Sequence, residues 1–166
     1  MIETSNPTPI ATADLCDDHA DQLQIARPEL KAYGGRRQFG GRIHTVQVYQ
    51  DNVLVRRQLE RTVVDAVLVI DGGGSLECAL VGDILAGMAC QNGWQGIVVN
   101  GCIRDAAAIA KLPIGIRALN THPLKSGKRG TGQENLPVTF AGATFRPGEY
   151  LYADEDGLVV SASALI

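Results

Sequence analysis

The sequence is poor in aromatic residues and carries no excess of positive charge. Phe, Trp and Tyr make up 5% of its 166 residues, and 15 Lys and Arg against 18 Asp and Glu give a formal net charge of −3. Proteins that bind nucleic acid need clustered cations for the phosphates and aromatic rings for the bases. We therefore expect no direct nucleic-acid binding, and we interpret the local cluster of Lys125, Lys128 and Arg129 as a solvated or anion-contacting loop.

The chain also lacks long apolar runs and paired cysteines. No segment approaches the ~18 consecutive apolar residues that indicate a membrane helix, and the N-terminus lacks the pattern of a signal peptide. These absences argue against a membrane protein and predict a soluble, cytoplasmic one. The cysteines form no CxxC pair, which argues against structural zinc and is typical of buried thiols in a reducing compartment. They are Cys16, Cys78, Cys90 and Cys102.

A single domain fits both the length and the composition. The chain is 45% hydrophobic and 20% charged, as ordinary globular domains are. Residues 1–11 hold two prolines and show no hydrophobic periodicity, so we interpret them as a flexible leader. We predict that one folded domain spans residues 12–166.

The middle of the chain is predicted to alternate buried strands with helices. Two continuous apolar runs, AVLVI at 66–70 and GIVVN at 96–100, are typical of strands covered on both faces. Between them, LECALVGDILAGMACQNGW permits either one long helix from Leu76 or a strand followed by a helix that opens at Asp83. We favour the second, because Gly82 is a poor residue for a helix interior and Asp is a good N-cap.

Further elements are predicted on either side of this region. Thr12 is expected to cap a first helix, and Gly101 is expected to turn the chain into a helix over residues 104–111. Near the C-terminus, two apolar segments flank residues 154–157, whose Asp-Gly pair predicts a hairpin with positive φ. Residues 123–137 are rich in Gly, Pro and Ser, and a loop of that length is usually functional or interfacial.

The chemistry is expected where helices open after apolar strands. Asp83 and Asp105 both occupy such positions, and open α/β sheets bind ligands at the carboxyl ends of their strands, beside helix N-termini. Free amides at residues 83–85 would hold a carboxylate or keto oxygen, and Arg104 would bind a carboxylate through two parallel hydrogen bonds. Taken alone, an Asp at a helix start is more often a simple N-cap, and an adjacent Arg-Asp pair is usually a surface ion pair.

Three segments together carry a longer pattern. They are FGGRIHTV, VLVIDGGGSLECALVGDILAGMACQNGWQGIVVNGCIRD and RGTGQENLPVTFAGATFRPGEYLYADEDGLVVS. On these segments the chain resembles the RraA-like family over nearly its whole length from about Thr12. That family includes regulators of ribonuclease E activity and class II 4-hydroxy-4-methyl-2-oxoglutarate aldolases, which also decarboxylate oxaloacetate. The resemblance implies an α/β fold, a single-domain α/β sandwich of the swivelling β/β/α type, and a ring-shaped homotrimer with pockets between subunits.

The resemblance also implies roles for individual residues. In the aldolase branch a Gly-Asp-x-Leu motif holds the pyruvyl part of the substrate, and a later Arg-Asp pair serves substrate and metal. The implied activity is that of a divalent-metal-dependent carbon–carbon lyase for small 2-keto acids, with Asp105 as the single protein ligand of Mg²⁺ or Mn²⁺. The matching positions here are Gly82, Asp83, Ile84 and Leu85 for substrate, Arg104 for substrate, and Asp83, Arg104 and Asp105 for catalysis.

Aldol cleavage and decarboxylation both pass through the enolate of pyruvate, so one site can serve both reactions. The family motif continues to an acidic residue where this chain has Ala108. Its loss should affect cleavage more, because only cleavage must first remove a hydroxyl proton. We predict oxaloacetate decarboxylation that depends on Mg²⁺ or Mn²⁺ and is abolished by Asp105→Ala.

Two other functions stay open at this point. The chain could be a non-enzymatic regulator that binds and inhibits ribonuclease E, as the resemblance also implies. A cysteine enzyme that uses Cys102 beside Arg104 is disfavoured, because no His lies in a position to pair with the thiol. His122 could reach the pocket from the long loop, although a structural role is favoured.

Overall fold

A ten-stranded mixed sheet lies at the centre of the computed structural model, which describes residues 9–166. A two-stranded hairpin and short helices complete the described part of the chain. The helices are α1 (Thr12–His19), α2 (Val53–Leu59), α3 (Asp83–Gln91) and α4 (Ala106–Ile109). The strands are β1 (Leu23–Ile25), β2 (Lys31–Ala32), β3 (Phe39–Gln47), β4 (Ala66–Asp71), β5 (Ala79–Val81), β6 (Trp94–Ile103), β7 (Gly115–Thr121), β8 (Gln133–Glu134), β9 (Val138–Phe140), β10 (Ala143–Phe145), β11 (Tyr150–Ala153) and β12 (Leu158–Ser161).

Four parallel strands in the order β3-β4-β6-β7 form the middle of the sheet. Antiparallel strands extend it on both sides, with β11, β12 and β1 beyond β3 and with β2 beyond β7. The short strand β5 runs parallel to the carboxyl end of β6, and β8 pairs with β3. Strands and helices packed on this sheet confirm the predicted α/β sandwich.

Both faces of the central sheet are buried, which explains the continuous apolar runs in the sequence. Side chains alternate along β4, whose six residues are all buried. Leu68 and Ile70 belong to the core cluster that includes residues of α2, α3 and α4. Val67 and Val69 belong to the opposite cluster, which includes residues of β9, β10, β11 and β12. Helices α3 and α4 lie on this same face and follow the parallel strands β5 and β6, so their N-termini open at the same edge of the sheet.

Trp94 closes the amino end of β6. Its indole N–H donates to the carbonyl oxygen of Arg61 at 3.2 Å, and its ring meets His44 edge-on with 5.2 Å between the ring centroids. Burial, with Arg61 and Arg42 nearby, lowers the pKa of His44. Trp94 is thus buried at the end of β6 that lies opposite the strand-to-helix junction.

Two predicted helix caps are wrong by one residue. Thr12 and Asp83 are each the first residue inside their helix, and the true cap positions are Ala11 and Gly82, which offer no capping side chain. For α1 the cap comes from Asp154, which accepts the Thr12 amide at 2.8 Å and the Thr12 hydroxyl at 2.6 Å. A tertiary contact therefore replaces the local cap that the sequence suggested.

The predicted turn at Gly101 is also wrong. Strand β6 continues through Gly101 to Ile103, because β5 and β7 pair with it on both sides at Cys102. As a result, α4 is limited to Ala106–Ile109 instead of the predicted residues 104–111.

The predicted hairpin is confirmed as β11 and β12, but its turn has a different geometry. Positive φ is found at neither Asp156 nor Gly157. The turn is closed instead by Asp154, whose Oδ1 accepts the amides of Asp156 at 3.0 Å and Gly157 at 3.3 Å. The turn is therefore stabilised by the Asp154 side chain and not by a glycine with positive φ.

The strand-then-helix interpretation of the segment after Leu76 is confirmed, with β5 beginning at Ala79 and α3 ending before Asn92. Residues 1–8 of the predicted leader lie outside the described residues, while Ile10 packs beside a small cluster around Leu15. Within residues 9–166, no helix has the length and apolar character needed to cross a membrane.

Candidate active site

A small cavity opens at the carboxyl ends of the parallel strands. Its volume is about 130 Å³, below the ~300 Å³ at which drug-sized pockets begin, so it suits a ligand of few atoms. All six residues that were predicted for the site line it, namely Gly82, Asp83, Ile84, Leu85, Arg104 and Asp105. The fold therefore brings the β5–α3 and β6–α4 junctions to one place.

The two junctions are joined by hydrogen bonds. The amide of Asp83 donates to Oδ2 of Asp105 at 3.1 Å, and the amide of Arg104 donates to the carbonyl of Val81 at 2.9 Å. The expectation that the Asp83 amide is free for a ligand is therefore wrong, because Asp105 caps α3 through it. The next amides, of Ile84 and Leu85, lie in the first turn, where helix geometry supplies no acceptor.

Asp105 has an unusual backbone. Its φ of 57° and ψ of 40° place it in the left-handed region, which few residues other than glycine adopt, although Asp tolerates it better than most. Strain of this kind is concentrated at functional sites. Among the described residues, Oδ2 receives the Asp83 amide and Oδ1 receives no hydrogen bond. The exposed carboxylate thus keeps one oxygen for a ligand.

Space, and not backbone conformation, requires glycine at position 82. Its φ of −120° is open to any residue. A methyl group on Gly82 would lie 2.7 Å from Oδ2 of Asp105 and 3.4 Å from Cγ and Nε of Arg104. A side chain here would therefore displace Asp105 from the Asp83 amide.

Four polar residues in the cavity were not among the predicted site residues. Asn52 directly precedes α2 and Arg56 lies within it, while Lys125 and Lys128 come from the long loop. With Arg104, the lining includes four cationic side chains against two carboxylates. The sequence did mark the basic loop as able to contact an anion, whereas nothing in the residues around Arg56 connects it to this site.

Asp51 holds the long loop beside the cavity. Its buried carboxylate accepts the amides of Val53 at 3.1 Å, Arg129 at 2.5 Å and Gly130 at 3.1 Å. Burial alone would raise the pKa of Asp51, but these backbone amides, with that of Thr131, hold it below its usual range. Position 51 therefore fixes where the basic loop lies.

Cysteine chemistry finds no support at this cavity. Cys102 is buried in β6 outside the lining, and burial, with Cys78 nearby, raises the pKa of its thiol. A nucleophilic cysteine needs the opposite shift. Cys78 is also buried, as predicted, whereas Cys16 and Cys90 are only partly so.

His122 lies outside the cavity lining as well. Its Nδ1 accepts the amide of Leu124 at 3.1 Å, at the start of the long loop. This contact agrees with the structural role that was favoured for it.

The sequence matches the model of the RraA-like family, described as Aldolase/RraA, over residues 12–160. The chain belongs to this family. A relative from Laribacter hongkongensis, named "Putative 4-hydroxy-4-methyl-2-oxoglutarate aldolase", is 57% identical over 93% of this chain and 98% of its own length. A relative of the same name from Dechloromonas aromatica is 54% identical over 93% of this chain and 97% of its own.

Two solved structures share the fold closely. A Geobacillus kaustophilus protein named S-adenosylmethionine: 2-dimethylmenaquinone methyltransferase has a TM-score of 0.92 and 48% identity, covering 94% of this chain and 97% of its own. The RNA-processing inhibitor RraA from Thermus thermophilis has a TM-score of 0.92 and 40% identity, covering 95% and 96%. These relatives of the RraA-like family carry three different functional names, so the residues of the site must distinguish between functions.

Proposed function

We propose that this chain is a carbon–carbon lyase that cleaves small 2-keto acids through the enolate of pyruvate, as an aldolase and as an oxaloacetate decarboxylase. The observation that carries the proposal is the convergence of Arg104, Asp105 and the first turn of α3 on one small cavity. Membership of the Aldolase/RraA family and the aldolase names of its relatives support the same reaction class.

The residues would divide the work as follows. The guanidinium of Arg104 and the first-turn amides of α3 present positive potential to the carboxylate and keto oxygen of a pyruvyl group. Asp83 is exposed at the mouth of the cavity, where its carboxylate would orient a water that carries the proton. Gly82 leaves the space in which Asp105 and Arg104 lie side by side.

Cleavage of a 4-hydroxy-2-keto acid begins when the C4 hydroxyl loses its proton to water. The C3–C4 bond then breaks, C4 becomes a carbonyl carbon, and the electron pair stays with C3 as the enolate of pyruvate. In oxaloacetate the same enolate forms when the C3–C4 bond breaks and C4 leaves as CO₂. Protonation at C3 completes both reactions. Donors preorganised around the keto oxygen stabilise this enolate, a kind of contribution that is worth ~3 kcal/mol per donor in acyl-transfer enzymes.

A divalent cation fits this site when the substrate helps to bind it. Within residues 9–166, no three His, Cys, Asp or Glu side chains lie together as a metal cage. Mg²⁺ nevertheless needs only one or two protein carboxylates when water and substrate supply the other oxygens. Asp105, with an oxygen left for a ligand, would hold Mg²⁺ or Mn²⁺, which when bound acts as a Lewis acid on the keto oxygen.

The proposal is tested by pyruvate release from 4-hydroxy-4-methyl-2-oxoglutarate and CO₂ release from oxaloacetate, each with Mg²⁺, with Mn²⁺ and with a chelator. We expect metal-dependent turnover that Asp105→Ala abolishes and that Asp17→Ala, an exposed acidic residue on α1, leaves unchanged. Equal turnover in the Asp105→Ala variant would refute the assignment.

The similarity to the RNA-processing inhibitor RraA favours a second candidate function, inhibition of ribonuclease E by a cytoplasmic homotrimer. Sedimentation measures the assembly, and a pull-down with the ribonuclease measures the contact. An active lyase that also binds the ribonuclease would have both functions.

A further inference from the structure

A second concave site lies at the amino ends of the parallel strands, opposite the candidate active site. Its volume is about 440 Å³, more than three times the 130 Å³ of the active-site cavity and within the ~300–1,000 Å³ that is typical of small-molecule sites. The two sites share no lining residue. We call this second site the amino-end groove, and its lining includes Arg36, Arg42, Asp65, Gln95, Tyr150 and Tyr152.

Two tyrosine rings, each held by a hydrogen bond, form an apolar wall of the amino-end groove. The Leu165 amide donates to the Tyr152 hydroxyl at 2.9 Å, and Nη2 of Arg42 donates to the Tyr150 hydroxyl at 3.3 Å. A methyl group at position 40 of β3, where the chain has glycine, would lie 2.8 Å from Cδ1 of Tyr152 and 3.2 Å from Cδ1 of Ile10. Glycine therefore allows the Tyr152 ring and Ile10 to lie directly on the strand. A wall that is already ordered suits a flat apolar ligand, because less side-chain freedom is lost on binding.

Two arginines of the amino-end groove keep donors for an anion. Arg36 donates through Nη1 to Oε1 of Gln95 at 2.8 Å, and Arg42 donates only to the Tyr150 hydroxyl, with its guanidinium 5.6 Å from the centroid of that ring. Each side chain thus uses one of its five N–H groups on a neutral partner of the described chain. Three arginines elsewhere pair with glutamates, but within residues 9–166 neither Arg36 nor Arg42 forms a salt bridge.

The charges of the lining favour a ligand with a single negative charge. Arg36 and Arg42 contribute two positive charges, and Asp65 contributes one negative charge without pairing with either arginine. One positive charge is left, which one carboxylate balances. A guanidinium matches a carboxylate with two parallel hydrogen bonds and also stacks on aromatic faces, so the two arginines can contact both the head group and the ring of such a ligand.

We infer that the amino-end groove is a second ligand site, which binds an aromatic monocarboxylate. The aromatic ring of the ligand packs against Tyr150, Tyr152 and Ile10, and its carboxylate lies between Arg36 and Arg42. This inference does not rest on the proposed lyase activity, because it concerns other residues at the other end of the sheet.

A pair of matched probes tests the charge and the ring separately. The affinities of 2-naphthoate and 2-naphthamide are measured by calorimetry, because the two molecules share a ring and differ in the charge of the head group. We expect the wild-type chain to bind 2-naphthoate about tenfold more tightly, as a charge-assisted contact allows. Acetate, which has the carboxylate without the ring, should give no measurable binding. These comparisons need no variant, so they decide the question even if a substitution prevents folding.

The double variant Arg36→Met, Arg42→Met removes both charges and keeps unbranched side chains of similar length. It should bind the two naphthalene probes with equal affinity. The matched control is Arg129→Met, Arg146→Met, which removes two exposed arginines outside both sites and should keep the tenfold preference. Melting temperatures confirm that the variants fold.

A further variant shows at which end of the sheet the probe binds. Lys125→Met, Lys128→Met removes two cations of the active-site cavity and should leave the affinity for 2-naphthoate unchanged. A loss of binding in this variant would place the probe in the active-site cavity and overturn the inference. Equal affinity of the wild-type chain for the two naphthalene probes, no binding of either, or acetate binding as tight as that of 2-naphthoate overturns it too, as does a preference that survives in Arg36→Met, Arg42→Met.

Discussion

Two aspartates cap helices from a distance in this protein, and their surroundings differ. Asp154 caps α1 from the β11–β12 turn, is 5% exposed, and accepts four hydrogen bonds, two from Thr12 and two from the turn. Asp105 caps α3 from the neighbouring junction, is exposed, and among the described residues accepts one hydrogen bond. The carboxylate of Asp154, with both oxygens hydrogen-bonded, supports the fold. The carboxylate of Asp105 has one oxygen without a hydrogen bond, which is available for chemistry.

The largest effect is expected from Asp105→Asn. Asn tolerates left-handed backbone and keeps an oxygen for the Asp83 amide, so the cap of α3 should survive while the negative charge is lost. We expect turnover of oxaloacetate to fall by about 10³-fold, at the upper end of what one lost electrostatic contact costs. The melting temperature should stay close to that of the wild type.

Asp105→Ala loses both cap and charge and serves as the comparison. It should show the same loss of turnover together with a lower melting temperature. If Asp105→Asn keeps wild-type turnover, Asp105 serves only as a cap, and its difference from Asp154 has no functional meaning.

A smaller effect is expected from Gly82→Ala. The new methyl group would meet Oδ2 of Asp105 at 2.7 Å, so the carboxylate must leave the Asp83 amide. Turnover should fall by about 10²-fold, as a displacement of about 1 Å at a reactive group can cost.

Gly87→Ala is the matched control for that variant. Gly87 lies in the same helix, α3, and a methyl group there would meet nothing within 4 Å beyond the backbone of its own helix and the two adjacent residues. This control should keep its turnover and gain about 0.5–1 kcal/mol of stability, because Ala favours the helix. Equal losses in the two variants would mean that crowding at Asp105 is not the cause.

The helix caps also show what the sequence could and could not predict. The β4 run, the β11–β12 hairpin and the strand before α3 followed from local hydrophobic pattern. Thr12 and Asp83 were correctly placed at helix starts, although each is the first helical residue and not the cap. The side chains that cap these helices, Asp154 and Asp105, are distant in sequence and are brought near only by folding. The turn predicted at Gly101 was wrong for a similar reason. Strand β6 is paired on both sides there, and this pairing outweighs the tendency of a single glycine to end a strand.

The candidate site divides in the same way. Its six predicted residues lie within two local motifs that end at one edge of the sheet. Motif and topology together were therefore sufficient to predict that these residues meet in one cavity. Arg56 could not be predicted, because its position in the cavity depends on how α2 packs against α3 and β4. Lys125 and Lys128 were noticed as a basic loop, but the hydrogen bonds that attach this loop to the cavity join residues far apart in sequence.

A stability effect is expected from Asp154→Ala. The variant leaves the Thr12 hydroxyl and three amides without their acceptor, and we expect a loss of about 2–3 kcal/mol in the free energy of unfolding. Asp154→Asn, which keeps one acceptor oxygen, should lose less. Urea titration measures both, and an unchanged midpoint in Asp154→Ala would show that α1 needs no cap.

The smallest effect is a dependence of stability on pH. Burial alone would raise the pKa of Asp154, but hydrogen bonds from Thr12, Asp156 and Gly157 hold it below its usual range. A lowered folded-state pKa contributes stability that is fully present above the unfolded value, about 3.9, and that is lost as the pH falls through the folded-state pKa. Urea midpoints should therefore decline below about pH 4, and less steeply in Asp154→Asn.

Trp94 is the only tryptophan in the sequence, and it stands at the opposite end of β6 from Arg104. A ten-residue strand is about 30 Å long. The fluorescence emission of Trp94 should therefore change when the amino end of the sheet unfolds and stay unchanged when a ligand enters the cavity. Unfolding of every variant can be followed by emission without a dye, whereas ligand titrations need a calorimeter or a label placed on the long loop.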